Sequence, residues 1–340
     1  PAIMPTELEP DYLTEPYFEE IKYAFDKANE MGMECWLYDE GGWPSGGACG
    51  KVLKKHPEYA RRVPEIKSSL FMSGDVYKKS SEDVLAAFVD GKIMIDEGYL
   101  FENDASVDEY YSKQTLFEAI ATADFPDLSL REATDCFIEL THEKYYNSLK
   151  ERMGDYITAV FTDEPTLPRP FPLHDGIIKA YEEQYGESPL PYLPSIYGKA
   201  EVDEKAAEIR IRWFDLCSRI FCENFLTRCR EWSNKHGMEF TGHMNNDHYL
   251  TGAMDGGNLH LMRSLRQLDI PGIDVIWRQI FPGESKMHNI GDRTSVNGFY
   301  PRYASSAAAQ QGNDGAMTES CGVYGCGLTY EQMRFVYGYQ

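Results

Sequence analysis

The sequence is poor in positive charge and has no long apolar run. Its 340 residues include 33 Lys and Arg against 55 Asp and Glu, which gives a net charge of −22 at pH 7. A protein that binds nucleic-acid phosphates or an anionic membrane surface needs a basic patch, so the composition predicts neither partner. No stretch approaches the roughly 20 uninterrupted apolar residues that a bilayer-spanning helix needs. The composition therefore indicates an acidic globular protein.

Motifs for several cofactors and nucleophiles are also missing. No Gly-rich phosphate loop of the GxGxxG or GxxxxGK[ST] type occurs, which disfavours a nucleotide-binding sheet. There is no HExxH motif, no CxxC pair and no Cys/His cluster with zinc spacing, and no GxSxG motif marks a nucleophilic serine. The eight cysteines are expected to be buried thiols. Nothing in the sequence requires a cofactor.

The sequence is rich in apolar and aromatic residues, 42% and 13%, arranged as alternating helices and short strands. Helical periodicity predicts long helices at 14–31, 131–153 and 203–235. Short, almost wholly apolar strands are predicted at 33–38, 156–161, 238–242, 273–276 and 315–318. Such strands are typical of a parallel sheet covered on both faces, and their alternation with helices predicts a (β/α)8 barrel of the TIM type.

The predicted barrel has one interruption and two cut ends. Residues 66–115 contain short β-like runs with a turn at Asp90-Gly91, which is a hairpin signal, so we expect an inserted β subdomain there. Fewer strands can be counted than a complete barrel needs, and the first and last are expected to lie outside residues 1–340. We therefore expect a catalytic domain fragment over 1–340, with further domains in the same chain.

The strongest candidates for catalysis are Glu164 and Glu319. Each comes directly after a predicted apolar strand, and the carboxyl ends of barrel strands hold the active site, so we expect the two carboxylates to meet across the barrel mouth. Glycosidic bond cleavage uses such a pair: one carboxyl protonates the leaving oxygen, and the other activates water or attacks the anomeric carbon. The alternative is that each glutamate caps a helix or pairs with an arginine.

A third acidic strand end precedes an aromatic residue. Asp39 and Glu40 follow the first predicted strand, and Trp43 comes next in a Gly- and Pro-rich loop. Carboxylates accept hydrogen bonds from sugar hydroxyls, and an indole ring can stack on the apolar face of a sugar. All three are candidate substrate-binding residues, the alternative being a loop organised by the acids around a core Trp. Asp163 is a further candidate, although strand alternation is expected to point it away from Glu164.

Polar and aromatic residues also follow two later strands. His243 ends its predicted strand and Asn245 comes soon after it, while Trp277 and Arg278 follow the strand at 273–276. Their positions make all four candidate substrate-binding residues. The alternatives are a structural histidine and an aromatic residue packed against a helix. The residue spacing indicates no zinc site, and a calcium site cannot be recognised from it.

Four segments carry a resemblance to a known family. They are WLYDEGGWPSGGACG (36–50), FTDEP (161–165), TGHMNND (241–247) and SSAAAQQG…MTESCG (305–322). Together they resemble glycoside hydrolase family 106, the α-L-rhamnosidase group. The resemblance implies a (β/α)8 catalytic domain in a long multidomain chain that cleaves a carbohydrate substrate with inversion, with calcium as a candidate aid.

By the same resemblance, Glu164 and Glu319 take the catalytic positions, and Asp39, Glu40, Trp43 and His243 line the sugar pocket. The family also suggests secretion or a periplasmic location, which no residue of this sequence shows. Two alternatives to a rhamnosidase stay open: an exo-glycosidase acting on another sugar, and a carbohydrate-binding barrel without activity. Retention also stays open, because a carboxyl separation of about 5–5.5 Å indicates retention and about 6.5–9.5 Å indicates inversion.

Overall fold

A computed structural model describes residues 9–115, 125–167, 170–198, 203–248, 250, 257–283 and 298–340. They form two compact units. The first unit contains the described residues of Pro1–Tyr59, Phe117–Leu167 and Ile220–Gln340, and the second those of Ala60–Leu116 and Pro168–Arg219. Among these residues no helix combines the length and the apolarity that crossing a membrane requires.

The strands of the described residues are, in chain order, β1 (Cys35–Tyr38), β2 (Arg62–Phe71), β3 (Val84–Val89), β4 (Ile93–Ile95), β5 (Ala105–Gln114), β6 (Ile157–Asp163), β7 (Glu239–His243), β8 (Ile270–Val275) and β9 (Met317–Ser320). The helices are α1 (Glu15–Glu30), α2 (Lys51–Lys55), α3 (Arg131–Leu140), α4 (His142–Leu149), α5 (Asp175–Tyr185), α6 (Leu193–Tyr197), α7 (Glu204–Phe221), α8 (Arg228–Lys235), α9 (Leu261–Leu265), α10 (Arg302–Gln311) and α11 (Tyr330–Tyr339). Short 3-10 turns cover Pro57–Tyr59 and Leu190–Tyr192, and a π-helical segment covers Cys222–Thr227.

The first unit is built on a parallel sheet with the strand order β1-β6-β7-β8-β9. Its central strands are buried along most of their length because helices pack on the sheet: α1 against β1, α8 against β7 and α10 against β8. One part of the core joins β8 to α10 and α11 through Ile273, Val275, Ile280, Tyr300, Ala304, Tyr324 and Val336. Because the strands run parallel, their carboxyl ends all lie at the same edge of this sheet.

The expectation of a (β/α)8 barrel is wrong. The parallel sheet has five strands, and within the described ranges β1 and β9 lie at its two ends without pairing to each other. The other four strands form a separate antiparallel sheet. The apolar pattern predicts each parallel strand correctly to within a few residues, but barrel closure depends on strand number and stagger. Those are properties of long-range pairing that no local window of sequence contains.

One predicted helix is two in the structure. The segment 131–153 divides at Thr141, where α3 ends and α4 begins. The Thr141 hydroxyl donates a 2.7 Å hydrogen bond back to the Phe137 carbonyl. Threonine side chains compete in this way for helical carbonyls and bend the chain, which periodicity alone does not record.

The second unit contains the antiparallel sheet with strand order β2-β5-β3-β4. β2 and β5 pair over ten residues each, and β3 turns into β4 at Asp90-Gly91, both with positive φ, as the hairpin signal predicts. Its core includes Tyr77, Ala87, Val89, Ile95, Phe101 and Val107. The sheet spans 62–114, and the same compact unit includes α5 and α6. An inserted subdomain over 66–115 stays a prediction.

Candidate active site

The carboxyl edge of the parallel sheet gathers most of the predicted site residues. Asp39 and Glu40 follow β1, Glu164 follows β6, and Asp163 and His243 end β6 and β7. Glu319 lies in β9, beside Asp274 of β8 in the strand register. Residues far apart in the chain therefore meet at one edge, because each comes at or just after the end of a parallel strand.

His243 lies at the centre of this group. Its side chain is 1% exposed, and its Nε2 lies 2.8 Å from Oε2 of Glu319 and 3.7 Å from Oδ1 of Asp163. The Phe161 ring contacts the imidazole edge-on, with 5.4 Å between ring centroids. Glu319, in contrast, is 46% exposed at its side chain. A buried imidazole is thus bonded to a carboxylate that solvent can reach.

The charges of this group shift the pKa values of both partners. Burial alone would lower the pKa of His243, but the hydrogen bond to Glu319 and the charges of Asp274, Asp163 and Glu164 together raise it well above its ordinary value. The hydrogen bond from His243 lowers the pKa of Glu319, against the opposing effect of burial. Both shifts favour an imidazolium that donates Nε2–H to an ionised Glu319.

Glu164 also lies close to His243. Its backbone has a positive φ of 44°, and its N–H donates to the His243 carbonyl at 3.2 Å. Its Oε2 accepts hydrogen bonds from Trp43 Nε1 and, at 3.0 Å, from Asn245 Nδ2. Carboxylate oxygens of Glu164 and Asp274 lie within 4.8 Å of a His243 ring nitrogen. Both predicted catalytic glutamates therefore adjoin the same histidine.

Asp163 does not point away from the site as strand alternation predicts. It accepts a 2.7 Å hydrogen bond from the Tyr38 hydroxyl and lies 3.7 Å from His243. Burial and the nearby charge of Glu164 raise the pKa of Asp163 to about 6, opposed by the charge of His243. The two consecutive acids can both adjoin His243 because Glu164 lies beyond the strand in a left-handed backbone conformation, where the alternation of β-structure has ended.

Asp39 and Glu40 lie buried beneath the loop that follows β1, each with 1% exposure. Asp39 accepts a 2.6 Å hydrogen bond from the Ser45 hydroxyl. Glu40 accepts four hydrogen bonds of 2.6–3.0 Å from backbone N–H groups of the loop, those of Gly41, Gly47, Ala48 and Cys49. The structure thus places both acids where they organise the loop, as in the alternative interpretation of this segment.

Trp277 and Arg278 lie on the segment that follows β8. Both have positive φ angles, 54° and 59°. The Trp277 ring is 40% exposed, while the Arg278 guanidinium lies over the Phe281 ring at 3.7 Å. The structure therefore gives Arg278 an aromatic partner and leaves Trp277 partly exposed to solvent.

Two buried acids of the site were missed by the sequence analysis. Asp274 and Asp247 are 5% and 2% exposed, and Asp247 Oδ2 accepts a 2.9 Å hydrogen bond from the Asp274 backbone N–H. Burial raises the pKa of both carboxyls well above the ordinary value. The signal for Asp274 was available, since it is an acid inside an otherwise apolar strand, IPGIDV.

Within the described part of the chain, two sets of three side chains lie close enough together to bind one cation. They are Asp163, His243 and Glu319, and Glu164, His243 and Asp274, with one donor atom of each residue within 4.8 Å of the others. A protonated imidazole has no lone pair for a metal, and calcium prefers six to eight oxygen ligands. We assign no metal to the site, and calcium stays a prediction of the family resemblance.

Comparisons with known proteins assign no family to the chain. No family model matches it, and no curated protein matches it. Among solved structures, a rhamnosidase from Novosphingobium sp. PP1Y is similar with a TM-score of 0.44 and 14% sequence identity, over 67% of this chain. The chain spans 22% of that protein. A likeness at this level is distant and identifies neither a family nor an activity.

Proposed function

We propose that the protein hydrolyses a glycosidic bond with Glu164 and Glu319. The observation that carries the proposal is that both carboxylates adjoin His243 at the carboxyl edge of the sheet. This reaction requires a pair of carboxyl groups. One protonates the leaving oxygen, and the other activates a water molecule or attacks the anomeric carbon itself.

Glu319 is assigned the role of the ionised carboxylate. Its pKa is lowered by the hydrogen bond from His243, and its side chain is 46% exposed. In an inverting reaction Glu319 would accept a proton from the water that attacks the anomeric carbon. In a retaining reaction a carboxylate oxygen of Glu319 would instead attack the anomeric carbon directly.

Glu164 is assigned the role of the acid. Its Oε2 accepts hydrogen bonds from Trp43 and Asn245. In a protonated carboxyl the carbonyl oxygen accepts and the hydroxyl donates, so these two N–H donors select Oε1 as the oxygen that carries the proton. That proton passes to the leaving oxygen as the bond from the anomeric carbon to that oxygen breaks.

The substrate we propose is a neutral terminal sugar, with α-L-rhamnose as the first to test. The carboxylates around His243 would repel an anionic sugar acid. The half-exposed Trp277 ring offers a flat apolar surface, and sugars have an apolar face that packs on such rings. Inversion and the rhamnose specificity follow from the family resemblance described above.

Kinetics of two conservative variants test the catalytic assignment. We expect Glu164→Gln and Glu319→Gln each to lower kcat on an aryl α-L-rhamnoside by about 10²–10⁴-fold, the usual contribution of acid–base catalysis. Glu20→Gln, an exposed substitution on α1, serves as the matched control and should keep full activity. The anomer of the first product, observed by proton NMR, distinguishes inversion from retention.

The outcome that overturns the assignment is near-normal activity in either variant. If aryl glycosides of several sugars bind without release of product, the protein is instead a carbohydrate-binding protein without this activity. If another sugar is cleaved and rhamnose is not, the carboxylate pair stands and the specificity is wrong.

A further inference from the structure

Only one of the two ring nitrogens of His243 has a hydrogen-bond partner among the described residues. Nε2 bonds to Glu319 at 2.8 Å, while Nδ1 is buried and has no hydrogen-bond partner among the described residues. The ring is held from one side by the Phe161 side chain. Among the described residues, the side-chain hydrogen bond of His243 is therefore the one from Nε2 to the proposed catalytic carboxylate of Glu319.

Carboxyl groups face His243 from every strand packed against it. β6 and the residue after it provide Asp163 and Glu164, β8 provides Asp274, and β9 provides Glu319. The loop after β7 adds Asp247, whose carboxyl also interacts with the His243 charge. A positive charge at this position is stabilised by each of these groups that is ionised.

We propose that His243 is the positioning residue of Glu319: its buried imidazolium, hydrogen-bonded to the Glu319 carboxylate at 2.8 Å, keeps that carboxylate ionised and aimed at the substrate. This role rests on the proposed function, since His243 would act on the substrate through Glu319. His243 itself need not touch the sugar, since its side chain is 1% exposed while that of Glu319 is 46% exposed. A rigid, charged hydrogen-bond donor behind a catalytic group fixes both its orientation and its protonation state.

The first consequence concerns the charge of the imidazole in the intact protein. At about pH 8 an ordinary histidine, with a pKa of about 6.5, is almost wholly neutral. Because Glu319 is bonded to Nε2 at 2.8 Å and Asp163 lies 3.7 Å away, both ionised at that pH, we expect the His243 ring to remain an imidazolium.

NMR of ¹⁵N-histidine-labelled protein measures this charge without any substrate. In the wild-type protein one ring should show imidazolium shifts at about pH 8, and Glu319→Gln should lower the pKa of that same ring. Glu20→Gln, the matched removal of an exposed charge on α1, should leave it unchanged. The proposal is overturned if every ring is neutral at about pH 8, or if no ring responds to Glu319→Gln. Glu319 is half-exposed, so this test does not depend on a buried substitution.

Kinetics of His243→Gln separate a charged positioning residue from a merely structural one. Glutamine can place an N–H donor near the position of Nε2 but has no charge. We expect kcat to fall by at least about tenfold with KM nearly unchanged, and the acidic limb of the kcat/KM profile to move to higher pH as Glu319 loses its counter-charge. An unchanged pH profile together with a normal kcat would show that hydrogen bonding alone suffices and would refute the proposal.

The two experiments distinguish failure of this inference from failure of the proposed function. If no glycoside is cleaved but the NMR titration behaves as expected, the proposed hydrolysis is wrong while the charged His243–Glu319 pair stands. If hydrolysis is observed and depends on Glu319, yet His243 is neutral at about pH 8, the carboxylate pair stands and the positioning role is wrong.

Discussion

Hydrogen bonds of the Ser45 and Glu40 side chains position the loop that contains Trp43. Ser45 donates to Asp39 through its hydroxyl, and that same hydroxyl accepts the Asp163 backbone N–H at 2.8 Å. The Ser45 backbone N–H donates to the Asp163 carbonyl at 2.7 Å. Together with the four backbone bonds to Glu40, these contacts tie the loop to β6. The loop in turn brings the indole N–H of Trp43 to Glu164.

Replacement of Trp43 tests whether this N–H contact matters. We expect Trp43→Phe to lower kcat by about 2- to 10-fold, since a hydrogen bond to the neutral carboxyl of Glu164 contributes about 0.5–1.5 kcal/mol. Trp36→Phe is the control, because Trp36 is also partly exposed, at 40%, and lies on β1 of the same sheet. Steady-state kinetics on the same aryl glycoside measure both. Equal activity of the two variants would contradict a role for the indole N–H.

At the scale of the secondary-structure elements, Gly242 and Gly272 allow the parallel strands β6, β7 and β8 to approach one another closely. A Cβ atom at Gly242 of β7 would collide with the Thr162 carbonyl oxygen of β6, and the Gly242 φ angle is 149°. A Cβ atom at Gly272 of β8 would collide with the Gly242 carbonyl oxygen. Gly242 immediately precedes His243, so the closeness of these strands also places the imidazole among its carboxylates.

Gly242→Ala should therefore be strongly destabilising. A side chain at this position meets backbone atoms, which cannot move aside as a flexible side chain can, so we expect a loss of at least about 2 kcal/mol in the free energy of unfolding. Gly315→Ala is the matched control: its added Cβ would have no atom within 4 Å, and we expect a change within about 0.5 kcal/mol. Urea unfolding measures both, and similar stability of the two variants would contradict the steric argument.

At the scale of the whole molecule, the buried acids make the free energy of unfolding depend on pH. Burial raises the pKa of Asp39, Asp247 and Asp274 well above the ordinary value. Burial also raises the pKa of Glu40 to about 7 and that of Asp163 to about 6. Between the unfolded and folded pKa values the folded state holds protons that the unfolded state has released, so the free energy of unfolding falls as the pH rises through that window.

We therefore expect the first unit to be more stable at about pH 5 than at about pH 8. His142 opposes this trend, because burial lowers its pKa to about 3 and its contribution to stability is lost as the pH falls below about 6.5. The raised pKa of His243 adds to the trend, since its contribution is complete below about pH 6.5 and is lost as the pH rises through the folded pKa.

Unfolding by urea at both pH values checks the expectation. Asp274→Asn should make the dependence on pH shallower, because it removes one buried acid, while Asp155→Asn, an exposed change, should leave it as in the wild type. A wild-type protein that is more stable at about pH 8 would contradict the argument.

Local sequence was enough to predict the parallel strands and the positions of the acids. β1, β6 and β7 lie within two residues of their predicted positions. A short apolar run flanked by polar residues predicts a buried strand from residues that are neighbours in the chain. Glu164, His243 and Glu319 were recognised because each comes at or near the end of such a run. Whether these residues catalyse a reaction stays a prediction.

Only tertiary structure decided how the strands assemble and which acids face one another. Local sequence does not show that the parallel sheet, over the residues that the structure describes, has five strands and does not close into a barrel, because strand pairing joins residues far apart in the chain. It also does not reveal that Glu40 bonds to its loop, that Asp163 adjoins His243, or that Asp247 and Asp274 complete the group. A carboxylate's role depends on its burial and on the donors around it, and long-range packing determines both.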